Sequence, residues 1–200
     1  MKYKYGSNFQ QLISSPEKLQ NLLVNCSFSG SFKAWEQRKA FIANSIHKDG
    51  TFLDIGCGNG FLLCCLQEWS EFQITPYGID INEKFIEEAK ELFPSRKDNF
   101  AALDAKDIKD ISAYLPKQYD FIFFSSNWIN IKPDYHNKKQ LENLLNYLEP
   151  GGRFIVGFYA QDKDVNLETL KEFKSLGINF DKTLENAKDT NLVAWINKTP

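Results

Sequence analysis

"FLDIGCGNG", residues 52–60, sets glycines at positions 56, 58 and 60 directly behind a short apolar run that carries one acid, Asp54. Short apolar runs ending at glycine suit a buried strand of a parallel sheet, which is covered on both faces. Glycines with no Cβ let a backbone adopt positive φ and approach a ligand closely. The next residues, "FLLCCLQEW" at 61–69, continue as a helix. Strand, bare turn and helix together put a ligand beyond the C-terminal end of the strand, where doubly wound sheets bind theirs. The dinucleotide fingerprint G-x-G-x-x-G needs glycine at position 61, and Phe61 stands there instead. That weighs against a pyrophosphate.

Working outward, strand-like and helix-like segments alternate. "ITPYGID" (74–80) reads as a second strand, and "NEKFIEEAKELF" (82–93) as a helix with Phe85, Ile86, Ala89, Leu92 and Phe93 on one face, stopped by Pro94. "FAALDA" (100–105) is a third strand and "DIKDISAYL" (107–115) a short helix. "YDFIFFSS" (119–126) is the strongest strand, dense in aromatic and branched residues. "KKQLENLLNYL" (138–148) reads as a helix ended by "EPGG", where Gly151 and Gly152 form a turn, and "RFIVGFYA" (153–160) as the fifth strand. "LETLKEFKSLG" (167–177) is a helix closed by Gly177, and residues 178–198 read as two strands around a polar turn. This pattern predicts an α/β fold: a doubly wound, mostly parallel seven-stranded sheet with an antiparallel C-terminal hairpin and helices on both faces. Residues 1–48 hold no convincing core strand. They read as a helical lid or extension, with Ser15 and Ser31 as N-caps, ahead of a sheet domain over 49–200.

Composition narrows the function. The 200 residues carry a net charge of -2 with no cluster of Lys and Arg, so no nucleic-acid footprint is expected. No apolar stretch is long enough to span a bilayer, and "MKYKYGSNFQ" lacks the apolar core of a secretory signal, which points to a cytoplasmic protein without membrane partners. Cys26, Cys57, Cys64 and Cys65 make no C-x-x-C pair, and His47 and His136 are the only histidines, so no metal site is expected. The oligomeric state is not encoded in any of these features.

Asp54-Ile55-Gly56-Cys57-Gly58-Asn59-Gly60 resembles the nucleotide-binding motif of class I S-adenosylmethionine-dependent methyltransferases. The remainder is similar to that family in the same order: a second strand ending in Asp80, a third ending in Asp104, the aromatic fourth strand, "LEPGGRFIV" leading into the fifth, and a terminal strand pair. The resemblance covers about residues 50–198 and makes 49–200 a Rossmann-like methyltransferase domain. It implies S-adenosylmethionine as cofactor, held by Asp54, Gly56, Cys57, Gly58, Asn59, Gly60, Asp80, Ile81, Asp104, Ala105 and Ser125. Asp80 would accept from both ribose hydroxyls. Ile81 would contact the adenine face, Asp104 its amino group with Ala105 leaving room for the ring, and Asp54 would sit near the cofactor's ammonium.

Methyl transfer from a sulfonium is an in-line displacement whose leaving group is already activated, so alignment and exclusion of water dominate. In the family the residues after the fourth strand face the methyl group; here they are "SSNWINIKPDYHN", with His136 as the candidate base. The Asn/Asp and paired-proline signature of amino-group methyltransferases is absent there, and Asp134 alone could not supply a carboxylate cluster for metal-dependent chemistry. Trp35 and Arg38 from the extension, with Asn127, Trp128 and Tyr135, are the candidate binders of a small organic acceptor methylated on oxygen or nitrogen. The same aromatics would equally serve to pack the extension on the sheet. A module that binds the cofactor without turnover, or an enzyme acting on a macromolecule, would carry the same glycines and acids.

Overall fold

The computed structural model describes residues 3–105, 111–125 and 135–199. Its centre is β1 (Gly50–Ile55), flanked in parallel by β2 (Ile74–Asp80) and β4 (Tyr119–Ser125). Beyond β2 lies β3 (Phe100–Ala102), and beyond β4 lies β5 (Leu148–Phe158). The hairpin of β6 (Lys182–Glu185) and β7 (Leu192–Asn197) completes the sheet in the order β3-β2-β1-β4-β5-β7-β6. The last strand is thus inserted antiparallel between β5 and the edge strand β6. The expected seven-stranded, mostly parallel sheet with its terminal hairpin is the observed one.

Side chains alternate across a strand, and both sets are apolar here because both faces are covered. Phe52, Phe121 and Phe123 face one core; Leu53, Ile122 and Phe124 face the other. The first face is covered by α4 (Phe61–Trp69) and α5 (Glu83–Leu92), the second by α7 (Tyr135–Asn146) and α8 (Lys163–Ser175), with the short α6 (Ile111–Tyr114) leading into β4.

Boundaries shift where local hydrogen bonds decide them. Asp162 accepts from the backbone N–H of Asp164 at 2.8 Å, so α8 starts four residues ahead of the expected Leu167. The turn expected at "EPGG" is instead part of β5: Tyr119 pairs with Leu148 and Phe121 with Arg153, the surplus residues forming a bulge at which Gly151 takes a φ of 72°. β3 ends at Ala102, leaving Asp104 and Ala105 beyond the strand.

The extension departs most from expectation. It comprises α1 (Ser7–Ile13), α2 (Pro16–Asn25), α3 (Phe32–Lys39) and a 3-10 segment over Ala40–Ser45. Ser31 caps α3 by accepting from the N–H of Ala34, whereas Ser15 makes no such bond ahead of Pro16. Expected as a lid apart from the core, the segment contributes Phe9, Leu23, Trp35 and Ile42 to the same buried cluster as Phe52 and Phe121. Phe9 lies parallel to Phe61 at 6.4 Å between ring centroids, and Trp35 stacks near the same ring at 6.1 Å. The physical reason is α4: its first residue, Phe61, is fully buried, and the sheet alone leaves that ring uncovered on the side where α1 and α3 lie.

This arrangement predicts that Phe9→Ala destabilises the whole protein by about 3 kcal/mol, as deletion of a buried aromatic does. Urea unfolding followed by tryptophan fluorescence measures it. A loosely attached lid would show almost no change.

Candidate functional site

The chain leaves β1 through three positive-φ glycines, Gly56 at 77°, Gly58 at 54° and Gly60 at 73°. This tight path lets the N–H groups of Gly56 and Cys57 both donate to the carbonyl of Ile79, at 2.8 and 2.9 Å. The turn therefore lies against the end of β2. Gly78 permits it: a Cβ there would come to 2.6 Å from the Cys57 sulfur. Asp80, closing β2, accepts from the N–H of Gly58 through Oδ2 at 2.8 Å and from the N–H of Asn82 through Oδ1 at 2.9 Å. Each carboxylate oxygen keeps a further acceptor position.

Beside this turn opens a cleft of about 670 Å³. One wall carries Asp54, Gly56, Cys57, Gly58, Asp80 and Ile81, the last 61% exposed. Ser125, at the end of β4, also lines it. The facing wall is built from Trp35, Arg38 and Lys39 of α3, with Phe28 and Tyr159. So the structure brings together nine of the sequence-predicted residues: seven on the turn side with Ser125, and Trp35 and Arg38 opposite.

Others fall elsewhere. Asn59 is fully buried; its Oδ1 accepts from the N–H of Phe61 and the thiol of Cys26, and its Nδ2 donates to the carbonyl of Leu22 at 3.0 Å. It ties the turn to the end of α2. A Cβ on Gly60 would meet Ala89 and Phe93 at 3.2 and 3.3 Å, so this glycine lets α4 approach α5. Ala105 is buried in the core of the opposite face, and neither it nor Asp104 lines the cleft. Asn127 and Trp128 lie outside the described residues. Tyr135 and His136, expected on a loop, are the first two residues of α7, and their side chains also lie outside what is described.

Sequence reasoning passed over Lys39 and Tyr159. No spacing in the sequence marks Lys39. Tyr159 had a positional signal, since it directly follows the C-terminal end of β5. Its hydroxyl occupies the space above Gly157, where a Cβ would come to 2.3 Å from it. The Lys39 amine lies 3.0 Å from the centroid of the Tyr159 ring. The end of α3 is held from far along the chain: Asn186 Nδ2 donates to the carbonyl of Gln37 at 2.9 Å, and Asn191 Nδ2 to that of Arg38 at 3.3 Å. Both belong to the β6–β7 hairpin, whose Asp189 pairs with Arg38 Nε at 3.4 Å.

The electrostatics are unusual on both walls. Asp54 is 3% exposed, and burial, reinforced by nearby Asp80 and opposed by Lys39, pushes its carboxyl up to about 7. Burial, with the neighbouring charge of Arg38, lowers the Lys39 amine to about 7, against the influence of Cys26, Asp189 and Asp54. Among the described residues neither group has an ion-pair partner, and the Asp54 carboxylate accepts no hydrogen bond. No group of three His, Cys, Asp or Glu among the described residues could hold a metal ion, and no helix there is long and apolar enough to cross a membrane.

Residues 46–198 match the model of a family described as a methyltransferase domain. No curated protein sequence matches the chain. Among solved structures, the PH0226 protein from Pyrococcus horikoshii OT3 superposes with a TM-score of 0.61 at 19% identity, over 86% of this chain and 92% of that one. A SAM-dependent methyltransferase from Aquifex aeolicus gives 0.62 at 19% identity, over 92% and 98%. The mitomycin 7-O-methyltransferase MmcR gives 0.61 at 17%, over 96% of this chain and 60% of that one. At such identities the likeness is one of fold.

The two shifted groups predict how stability without ligand depends on pH. The Asp54 carboxyl keeps its proton up to about 7 when folded but loses it near 3.8 in its ordinary state, so between these values the folded chain holds the extra proton and stability falls as pH rises. Lys39 loses its proton near 7 when folded and near 10.5 ordinarily, so above 7 the unfolded chain holds the extra proton and stability rises again. Melting temperatures from pH 4 to 7 should show the falling limb in the unaltered protein and lose it in Asp54→Asn. Parallel curves for the two proteins would refute the assignment.

Proposed function

The chain belongs to the class I S-adenosylmethionine-dependent methyltransferases, whose cofactor is S-adenosylmethionine, and on that premise we propose that it methylates a small organic acceptor on oxygen or nitrogen. The observation that carries this reading is the roof over the cleft. Trp35 and Arg38 are fixed above the glycine turn by a segment that shares the protein's own core. A cleft of about 670 Å³ walled by aromatic and basic side chains is of the size that takes small molecules, and its chemistry suits an aromatic or anionic part.

The residues present fit the cofactor. Asp80 keeps free acceptor positions toward the cleft for the two ribose hydroxyls while its bonds to Gly58 and Asn82 hold it still. Gly56 and Gly58 present bare backbone. Ile81, with Asn82 and Phe85 beside it, offers the contact for the adenine. When bound, the cofactor supplies a methyl group on positively charged sulfur. The protein's own part is to align the acceptor with that methyl group and exclude water, which the α3 wall does from one side and the end of β4, at Ser125, from the other. Trp35 and Arg38 are the residues assigned to the acceptor; the Arg38 guanidinium is braced by Asp189 and lies 5.8 Å from the Phe28 ring centroid.

Incubation with methyl-labelled S-adenosylmethionine and panels of small phenols, carboxylic acids and amines should label a small product. Label found only on RNA or protein from an extract would overturn the small-acceptor assignment. Asp80→Ala should weaken binding of S-adenosylhomocysteine by about 2–3 kcal/mol, the scale of hydrogen bonds to a charged group. Because Asp80 also pins the turn, the same variant should melt earlier without ligand. Calorimetry and thermal unfolding read the two effects separately, and unchanged affinity would remove Asp80 from the site.

A further inference from the structure

Among the described residues, the buried side-chain polar atoms without a hydrogen-bond partner include Trp35 Nε1 and the Tyr159 hydroxyl, both from residues that line the cleft. The Trp35 nitrogen has the Cys65 thiol beside it in the core. The Tyr159 oxygen is left without a neighbour of that kind. Packing does not explain it, because phenylalanine would fill the same space and leave no hydroxyl desolvated and unpaired. The fold even makes room for the phenol: a Cβ on Gly157 would come to 2.6 Å from the ring carbon that bears the hydroxyl. The Lys39 amine caps the ring face at 3.0 Å and keeps it in place. Ser125 pairs with Gly157 across β4 and β5, on the sheet face that carries Asp54 and Phe123. In the strand order β2-β1-β4-β5 the glycine turn and Asp80 give the β1–β2 side to the nucleoside. The β4–β5 side, with Ser125 and Tyr159, is left for the acceptor.

We propose that the Tyr159 hydroxyl donates a hydrogen bond to the atom that receives the methyl group, and that this atom is a phenolate oxygen of an aromatic acceptor rather than a nitrogen. The inference rests on the small-acceptor reading and narrows it. The distinction comes from lone pairs. An amine nitrogen has a single lone pair, and a donor bonded to it would block the attack. A phenolate oxygen has more than one, so it can accept from Tyr159 with one pair and attack with another. In the transfer that attacking pair forms the C–O bond while the C–S bond breaks and its electrons pass to sulfur, giving a neutral methyl ether and S-adenosylhomocysteine. The phenol has by then lost its proton to solvent. The donor favours that loss, because a hydrogen bond to the charged form lowers the pKa of the bound phenol. The surroundings of the hydroxyl agree with this role. Burial, reinforced by Asp54 on β1 and Asp189 of the hairpin, holds its pKa well above the ordinary value, so it remains a donor and takes no proton from the acceptor. From α3, Lys39 and Arg38 supply the cations that favour an anionic acceptor, and Trp35 supplies an aromatic contact.

The test supplies the full chain with methyl-labelled S-adenosylmethionine and two matched sets of probes, the isomeric hydroxybenzoates and aminobenzoates, whose carboxylate suits Arg38. Hydroxybenzoates should be labelled on the phenolic oxygen and aminobenzoates should not be labelled on nitrogen. With the best hydroxybenzoate, Tyr159→Phe should lower kcat/KM by about 10- to 100-fold, the scale of a hydrogen bond to a charged group. It should also raise the pH at which kcat is half-maximal by about one unit, since kcat reports the ionisation of the bound acceptor. Affinity for S-adenosylhomocysteine should stay within about 3-fold, and the melting temperature should not fall, because the substitution removes only an unpaired oxygen. Label on the amine or on the carboxylate would overturn the proposal, as would an unchanged kcat/KM and pH profile in Tyr159→Phe. Equal losses of turnover and of S-adenosylhomocysteine affinity would overturn it by showing that Tyr159 merely supports the wall. Product from neither set would overturn it as well. In that case a labelled amine from a wider panel keeps the small-acceptor reading, whereas label confined to RNA or protein removes that reading too.

Discussion

The cleft depends on how closely the turn after β1 is pressed onto the end of β2. One carbonyl, that of Ile79, receives two successive N–H groups from Gly56 and Cys57, and one carboxylate, Asp80, receives the N–H of Gly58. Backbone at this density tolerates no Cβ at Gly78 and requires positive φ on every second residue of the turn. Once the turn is seated, α4 must start at Phe61, and the buried Phe61 ring has to be covered. The extension does this with Phe9, Phe32 and Trp35, and in doing so it carries Arg38 and Lys39 to the cleft. Packing and chemistry are therefore linked through a single ring.

One group on the cleft wall, Asp54, does nothing for the fold. Asp54 is buried without a hydrogen bond among the described residues, a state that opposes its ionisation and weakens the empty protein. Natural domains break local rules of polar satisfaction mainly where a ligand completes them. The contrast with Asn59 and Asn166 is direct. Asn59 has both ends of its amide satisfied, and Asn166 bonds to the backbone of Ala160 and Thr190. Those buried polar residues hold loops in place, whereas Asp54 is left open.

Much of the architecture was legible because local signals agreed with one another. "FLDIGCGNG" declared a strand and a bare turn in nine residues, "FLLCCLQEW" behind it declared a helix, and period-3.6 faces such as that of α5 stood out from the apolar strands between them. The turn side of the site was legible for the same reason, since it is contiguous from Asp54 to Gly58 and closed by the strand-ending Asp80. Within that motif the spacing could not separate roles: Gly58 lines the cleft while Gly60 serves helix packing, a distinction that exists only once α5 is in place. Of the facing wall, Trp35 and Arg38 were legible as candidate binders, whereas Lys39 and Tyr159 were not. Lys39 owes its environment to Tyr159, 120 positions away, and no periodicity in α3 records that contact. The extension was legible as helical, and its aromatics as binders or as packing against the sheet; what they cover, the Phe61 ring, was not.

The capture of α3 by the β6–β7 hairpin bears on how the protein is made. Carbonyls of residues 37 and 38 are bound by Asn186 and Asn191, 149 and 153 positions later. A ribosome delivers the first half of the cleft wall long before the residues that fasten it, and β7 must also slide between β5 and the edge strand before the sheet is whole. Contacts of such sequence separation form late and slowly. Until the hairpin has been synthesised, the α3 wall over the glycine turn lacks these two fastenings. The polar turn of the hairpin is thus the latch of the cleft wall and the last part of it to be synthesised.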